Sequence, residues 1–210
     1  MKYDAIVLAG GKGTRLNLGY NKVFYKMDNG LTVFENACKP FIEDEDCQKI
    51  IVVINESEVK DVFKHDKLVF VSNGKERFNS VYNGLMEVSS EYVMIHDGAR
   101  PYITSVDIKH LKECLEVEDA CMLALKAKDT IKEVVDGYIV KTLNRDHIYM
   151  AQTPQCFKTK LIKDAYMRGN AEKASFTDDA SVLEKYYDTK IKMIDSTTNN
   201  NKITFISDIN

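Results

Sequence analysis

Much of what classifies a small protein at sight is missing from this chain of 210 residues. It has no basic excess: 29 Lys and Arg stand against 32 Asp and Glu, a formal charge of −3. That argues against a general nucleic-acid binder, while leaving room for a local basic pocket. No apolar run approaches the roughly 18 residues of a membrane span, and no membrane partner is expected. Met1-Lys2-Tyr3-Asp4 passes straight into a short apolar strand, without the long apolar stretch of a signal peptide. The five cysteines are odd in number and no two are spaced Cys-x-x-Cys, which disfavours a zinc site or a disulfide framework. They read as buried free thiols of a reducing compartment, so a cytoplasmic protein is expected. His65, His96, His110 and His147 are scattered, with no His-x-x-x-His or Glu-x-x-His pattern for a transition metal. Internal repeats, low-complexity tracts and Pro/Ser-rich linkers are also absent, so residues 1–210 read as one domain. A chain of this length buries roughly 70% of its surface on folding and needs no staple.

What is present is an alternation. Ala5-Ile6-Val7-Leu8-Ala9 is nearly all apolar, as suits a strand covered on both faces. Val33, Phe34, Ala37 and Phe41 share one helical face. Lys49–Ile54, Leu68–Val71, Glu91–His96 and the run from Ala120 to Ala127 read as further strands. Helices are expected between them, a short one from Ser57 to about Lys64, one from Arg77 and one near Val106–Glu116. Strands and helices joined by short links make an α/β fold with a mostly parallel sheet. Ligands of such sheets sit beyond the carboxyl ends of the strands, where the Gly-rich and charged clusters of this sequence fall.

One stretch breaks the rhythm. Ile131–Val135 and Tyr138–Lys141 flank Asp136-Gly137, a strong hairpin signal. An arm of about residues 130–145 leaving the main body, with Val and Tyr exposed, points to packing against a second subunit. An ordinary edge hairpin is the alternative.

The chemistry-bearing clusters come in order. Leu8-Ala9-Gly10-Gly11-Lys12-Gly13-Thr14-Arg15-Leu16 follows the first strand. Its glycines let backbone N–H groups cradle an anion. It is not a Walker loop, and Leu16 stands where a dinucleotide fingerprint has its third glycine. With Arg15 and Lys22 close behind, a triphosphate suits it; a plain tight turn with surface cations is the alternative. Ser72–Val81 opens a helix at a strand end, where backbone groups can read a base edge or hold an anion; Ser80 could equally be a helix-surface serine. In His96-Asp97-Gly98-Ala99-Arg100-Pro101, Asp97 could hold Mg²⁺ together with phosphate oxygens, or pair with Arg100 as a structural salt bridge. His96 reads better as a satisfied core histidine than as a catalyst. Ala151–Gln155, Phe176–Ser181 and Asn199–Thr204 complete the series; Thr177 or Asp178 also reads as a helix N-cap.

Taken together, these segments resemble the 2-C-methyl-D-erythritol 4-phosphate cytidylyltransferases of non-mevalonate isoprenoid synthesis. The family pattern L-A-[AG]-G-x-G-x-R, Lys, G-x-x-R-x-x-S-V, H-D-x-A-R-P, D-T-I-K, T-P-Q-x-F, T-D-[DE]-A-S and N-x-K-[IV]-T is met at Leu8–Arg15, Lys22, Gly74–Val81, His96–Pro101, Asp129–Lys132, Thr153–Phe157, Thr177–Ser181 and Asn200–Thr204. The resemblance implies a single-domain, mostly parallel, Rossmann-like nucleotidyltransferase sheet with a protruding β-hairpin arm. It implies that Arg15, Lys22 and Lys202 are catalytic cations. Ala9, Gly10, Gly11, Gly13, Gly74, Lys75, Ser80, Asp97 and Gly98 would line the CTP site, with Asp97 also holding Mg²⁺. Arg100, Thr153 and Thr177 would meet the sugar phosphate, joined by Thr130 and Arg145 from the arm of a partner in a homodimer. The sequence departs from the pattern at Gly10, often Ala, where the smaller residue is expected to be harmless. It departs also at Lys75, often Asp, and at Asn21, usually Pro, and it ends at Asn210, short of a final helix common in the family.

A ribitol-5-phosphate cytidylyltransferase would share fold, CTP and Mg²⁺, but Ala99, Asp129–Lys132 and Thr177–Ser181 favour the methylerythritol enzyme. A nicotinamide-dependent oxidoreductase lacks its third glycine here. A non-catalytic nucleotide-binding module would bind CTP without releasing pyrophosphate.

Overall fold

A computed structural model describes residues 1–11, 19–196, 200–205 and 208. Its apolar runs form strands covered on both sides. In β1 (Tyr3–Leu8), Tyr3, Ala5 and Val7 face one layer and Ile6 the other. In β2 (Cys47–Ile54), Ile50, Val52 and Ile54 alternate with Ile51 and Val53 in the same way. The first layer holds α1 (Val33–Glu43), which contributes Phe34, Cys38 and Phe41, and α3 (Ser105–Leu115), which contributes Ile108, Leu111 and Leu115. The second holds α2 (Arg77–Met86), α4 (Thr159–Glu172) and α5 (Asp179–Tyr186). Helix starts are fixed by capping boxes, in which Thr32, Thr104 and Asp178 satisfy otherwise unpaired N–H groups. The N-cap reading of Asp178 is thus correct. The helix expected from Ser57 is instead a 3₁₀ segment, Glu56–Asp61, with no buried residue to support a longer helix.

The remaining strands are β3 (Leu68–Ser72), β4 (Tyr92–Asp97), β5 (Ala120–Lys126), β6 (Lys132–Val135), β7 (Tyr138–Thr142), β8 (Tyr149–Lys158) and β9 (Lys192–Asp195). The main sheet has the order β3-β2-β1-β4-β8-β5-β9. β8 runs antiparallel to β4 and β5, and the other pairs are parallel. Register aligns Leu8 with both Val53 and Asp97, so the ends of β1, β2 and β4 share one edge. Because β8 is antiparallel, its start lies at that same edge. The β6–β7 hairpin therefore leaves from the site side of the sheet. Asp136 and Gly137 both have positive φ, 50° and 84°, as the two-residue turn requires. Tyr138 is 80% exposed and Ile139 65%.

Candidate active site

The ends of β1, β2, β3 and β4 surround a cleft of about 540 Å³. Of the expected residues, Gly10, Gly11, Lys22, Gly74, Lys75, Ser80, Asp97 and Lys202 line it. Gly13 and Arg15 lie outside the described residues.

Asp97, the last residue of β4, forms the charged floor. Lys202 Nζ lies 2.9 Å from its Oδ2, Arg100 Nε 3.7 Å from the same oxygen, and Arg77 Nη2 3.6 Å from Oδ1. Burial pushes the carboxyl up, but Arg77, Lys202 and Arg100 outweigh it and hold Asp97 well below the usual carboxylate range. Of the two open readings of Asp97, the ion pair with Arg100 is present, and the carboxylate also faces the cleft.

Behind it runs a chain of hydrogen bonds. The Asp97 N–H donates to Thr153 Oγ1 at 3.0 Å, and that hydroxyl is 3.1 Å from His96 Nδ1. His96 Nε2 is 3.1 Å from the Arg100 carbonyl, which can only accept, so Nε2 carries the proton and Nδ1 accepts from Thr153. Burial pushes His96 down to about 4, so the ring is neutral. His96 is the satisfied core histidine anticipated from sequence, and Thr153 lies behind the cleft rather than in its wall.

The base-side loop is built by close approach. Gly74 N–H donates to Ser80 Oγ at 3.0 Å, and Ser80 Oγ donates to the Glu76 carbonyl at 3.0 Å. A side chain at 74 would meet Asn79 and the Ser80 nitrogen. Ser80 is therefore a loop-shaping residue of the cleft, not a bare surface serine. Gly10 abuts Asn73, and a Cβ there would come within 2.7 Å of Asn73 Cβ. Ala9 spends both backbone groups within the fold, its N–H on Val53 and its carbonyl on Asn21 Nδ2 at 2.6 Å. Asn21 also caps the turn Lys22–Phe24, doing with hydrogen bonds what a rigid proline would do sterically. Gly98 N–H donates to the Leu8 carbonyl.

The segment 200–205 closes one wall. Arg100 Nη1 donates to the Asn200 carbonyl at 2.7 Å, Asn200 Nδ2 to the Thr153 carbonyl at 2.7 Å, and the Ile203 N–H to Ala99. Among the described residues, the buried Arg100 Nε and Asn200 Oδ1 find no hydrogen-bond partner, which leaves a spare donor on Arg100 beside Asp97. Thr177, Thr130 and Arg145 are exposed and do not line the cleft; Arg145 donates to the Lys128 carbonyl. Arg77, Asn73, Glu76 and Thr204 line it without having been singled out from sequence. Arg77 stands inside the G-x-x-R motif, the signal that could have found it.

Among the described residues no group of three or more His, Cys, Asp or Glu side chains could hold a metal unaided. A single carboxylate at the cleft floor does suit Mg²⁺, which is commonly held by one or two carboxylates plus substrate phosphates.

A cleft beyond the carboxyl ends of parallel strands, with glycines on its rim and cations gathered around one carboxylate, is suited to the phosphates of a nucleotide. The family model for 2-C-methyl-D-erythritol 4-phosphate cytidylyltransferase matches residues 4–210. Proteins of that name from Geobacillus thermodenitrificans and Bacillus velezensis are 37% and 35% identical, across 100% of this chain and 94% and 93% of their own. The solved enzyme of that name from Francisella tularensis superposes with TM-score 0.85 at 33% identity, covering 100% of this chain and 97% of its own. A 4-diphosphocytidyl-2C-methyl-D-erythritol synthase from Anaerococcus prevotii gives 0.87 at 30% identity, covering 99% and 94%. The chain belongs to the 2-C-methyl-D-erythritol 4-phosphate cytidylyltransferase family. The ribitol-phosphate alternative is not favoured by these matches.

Proposed function

We propose that the protein joins CTP and 2-C-methyl-D-erythritol 4-phosphate, giving 4-diphosphocytidyl-2-C-methyl-D-erythritol and pyrophosphate. The observation that carries this reading is the convergence of Lys202, Arg100 and Arg77 on Asp97 at the edge of the sheet, in a cleft that Lys22 also lines. Both reactants are anions and repel unless neutralised. A phosphate oxygen of the sugar alcohol attacks the α-phosphorus of CTP, a new P–O bond forms, and the bond to the β-phosphate oxygen breaks. No covalent nucleophile is required; positioned cations stabilise the charge that builds on the α-phosphate and leaving group. Lys22 and Lys202 line the cleft and are suited to that task, with Arg15 expected to join them. The Arg100 Nε, ion-paired with Asp97 but without a hydrogen bond, is suited to a sugar phosphate.

Mg²⁺ would be held by Asp97 together with the nucleotide phosphates and would add positive charge at the reacting centre. Lys202, now 2.9 Å from Asp97, would then turn to the phosphates. The working form is proposed to be a homodimer joined by the arm of residues 130–145. Thr130 and Arg145 do not line this chain's cleft, which accords with service in a partner's. Free thiols at all five cysteines accord with a cytoplasmic enzyme, and no described helix is long and apolar enough to cross a membrane. Phosphorus NMR of the reaction mixture tests the reading. It expects two coupled diphosphate resonances to replace the sugar monoester signal; hydrolysis of CTP without that diester would refute it.

A further inference from the structure

One ion pair of the cleft wall belongs to none of the expected CTP or sugar contacts. Asp179, wholly buried in the first turn of α5, meets Arg77, the first residue of α2. The fork is bidentate, Nη1 to Oδ1 and Nη2 to Oδ2, both at 2.8 Å. Tyr166 of α4 donates its hydroxyl to Asp179 Oδ1 at 2.6 Å. A buried carboxylate is costly unless paired and hydrogen-bonded, and these contacts satisfy it. Arg77 itself breaks a local rule, since a cation at a helix N-terminus opposes the macrodipole. Such a breach beside a cleft points to a demand other than helix stability.

The geometry says what that demand is. Arg77 Nη2 also lies 3.6 Å from Asp97 Oδ1, so one guanidinium spans the carboxylates of β4 and α5. Its backbone directly follows the Gly74–Glu76 loop. The next residue, Phe78, stacks on Tyr166 with ring centroids 4.7 Å apart and on Phe176 at 5.5 Å. α5 is in turn tied to β8, because Gln155 Nε2 donates to Asp178 at 2.9 Å and accepts, through Oε1, the Ala180 N–H at 2.7 Å.

We propose that Arg77, with Asp179 as its fixed counter-ion, is a positioning residue that holds the base-side loop and the Asp97 carboxylate in one frame, so that nucleotide and metal are gripped in register. This rests on the CTP reading of the cleft. Lysine keeps the charge but cannot fork. The test compares wild type, R77K, D179N and the double variant by pyrophosphate release from CTP and Mg²⁺ with 2-C-methyl-D-erythritol 4-phosphate, alongside thermal melting. The single variants are expected to raise the KM for CTP and the half-saturating Mg²⁺ by about tenfold or more, with the sugar-phosphate KM within about twofold, the pattern of lost ground-state positioning. R77K is expected to melt close to wild type, and the double variant to be no worse than the poorer single, because both break one device. Should D179N fail to fold, R77K decides through its CTP KM. An unchanged CTP KM in R77K, or a lowered melting temperature as the sole effect, would overturn the proposal. Losses that multiply in the double variant would overturn the pairing. A wild type that releases no pyrophosphate would overturn the functional reading itself, and this inference with it.

Discussion

Lys22 and Ile203 meet across 181 residues of chain: the Lys22 Nζ donates to the Ile203 carbonyl at 2.6 Å. Lys202, the neighbour of that carbonyl, is the residue that reaches Asp97. The turn after the Gly-rich loop and the far end of the chain are therefore one wall of one cleft. Lys22→Ala removes a cation and loosens the segment that presents another. Turnover is expected to fall by about 100-fold or more, the scale of losing one preorganised electrostatic donor. Steady-state kinetics on a variant with wild-type circular dichroism checks this, and a near-normal rate would contradict it.

The neutral state of His96 has a consequence for stability. Its pKa is held down at about 4 by burial, against about 6.5 in an unfolded chain. Between those values the unfolded state binds the extra proton, so stability rises with pH across that window and is lost as pH falls from 6.5 toward 4. Urea midpoints are expected to drop between pH 7 and pH 5 in wild type, with a smaller drop in His96→Asn. Nitrogen-15 NMR of the ring should show the Nε2–H tautomer unchanged down to about pH 5, below the ordinary histidine range; titration near 6.5 would refute the hydrogen-bond chain.

Two glycines of the cleft separate by what surrounds them. A Cβ at 74 would lie 2.6 Å from the Asn79 carbonyl carbon and 2.8 Å from the Ser80 nitrogen, neither of which can rotate away. Gly74→Ala is expected to cost about 1–3 kcal/mol, the range for overpacking, and to weaken CTP binding. At Gly10 the backbone-fixed Asn73 Cβ would lie 2.7 Å away, but the next atoms, at 3.0 and 3.4 Å, are farther and can rotate, so Gly10→Ala is expected to cost less. Denaturation midpoints and CTP titration of the two variants check the order; equal effects would contradict it.

The arm makes its own prediction. Tyr138, Ile139 and Val140 are all more than half exposed along β7 of a two-stranded hairpin, which is marginal alone in water. Ile139→Asp is expected to shift sedimentation toward the monomer and to lower activity together. A variant that sediments and turns over like wild type would count against the arm as a dimer contact.

The parts of this fold legible in the sequence are those where periodicity and turn chemistry act locally. β1, β2 and β4 announce themselves because burial on both faces makes them apolar throughout, and Asp136-Gly137 because its turn requires positive φ. β8 does not, since Gln152, Thr153, Pro154 and Gln155 interrupt the apolar run that marks a buried strand. Pro154 is tolerated there because it sits opposite the register shift between Met122 and Ala124. Thr153 and Gln155 are satisfied by Asp97, His96, Asp178 and Ala180, partners that only the folded chain brings near, while the buried Gln152 Oε1 finds no hydrogen-bond partner among the described residues. The site divides likewise. Gly74, Lys22, Asp97 and Lys202 stand in motifs that spacing reveals. Arg77 also stands in a motif, but its pairing needed the structure, because its partner Asp179 lies 102 residues away.

The most direct measurement is pyrophosphate release from CTP and Mg²⁺, run in parallel with 2-C-methyl-D-erythritol 4-phosphate and ribitol 5-phosphate. The account predicts release with the methylerythritol substrate and little with ribitol 5-phosphate. Release with ribitol 5-phosphate alone would leave the nucleotide half of the cleft standing and contradict the assignment of its sugar half.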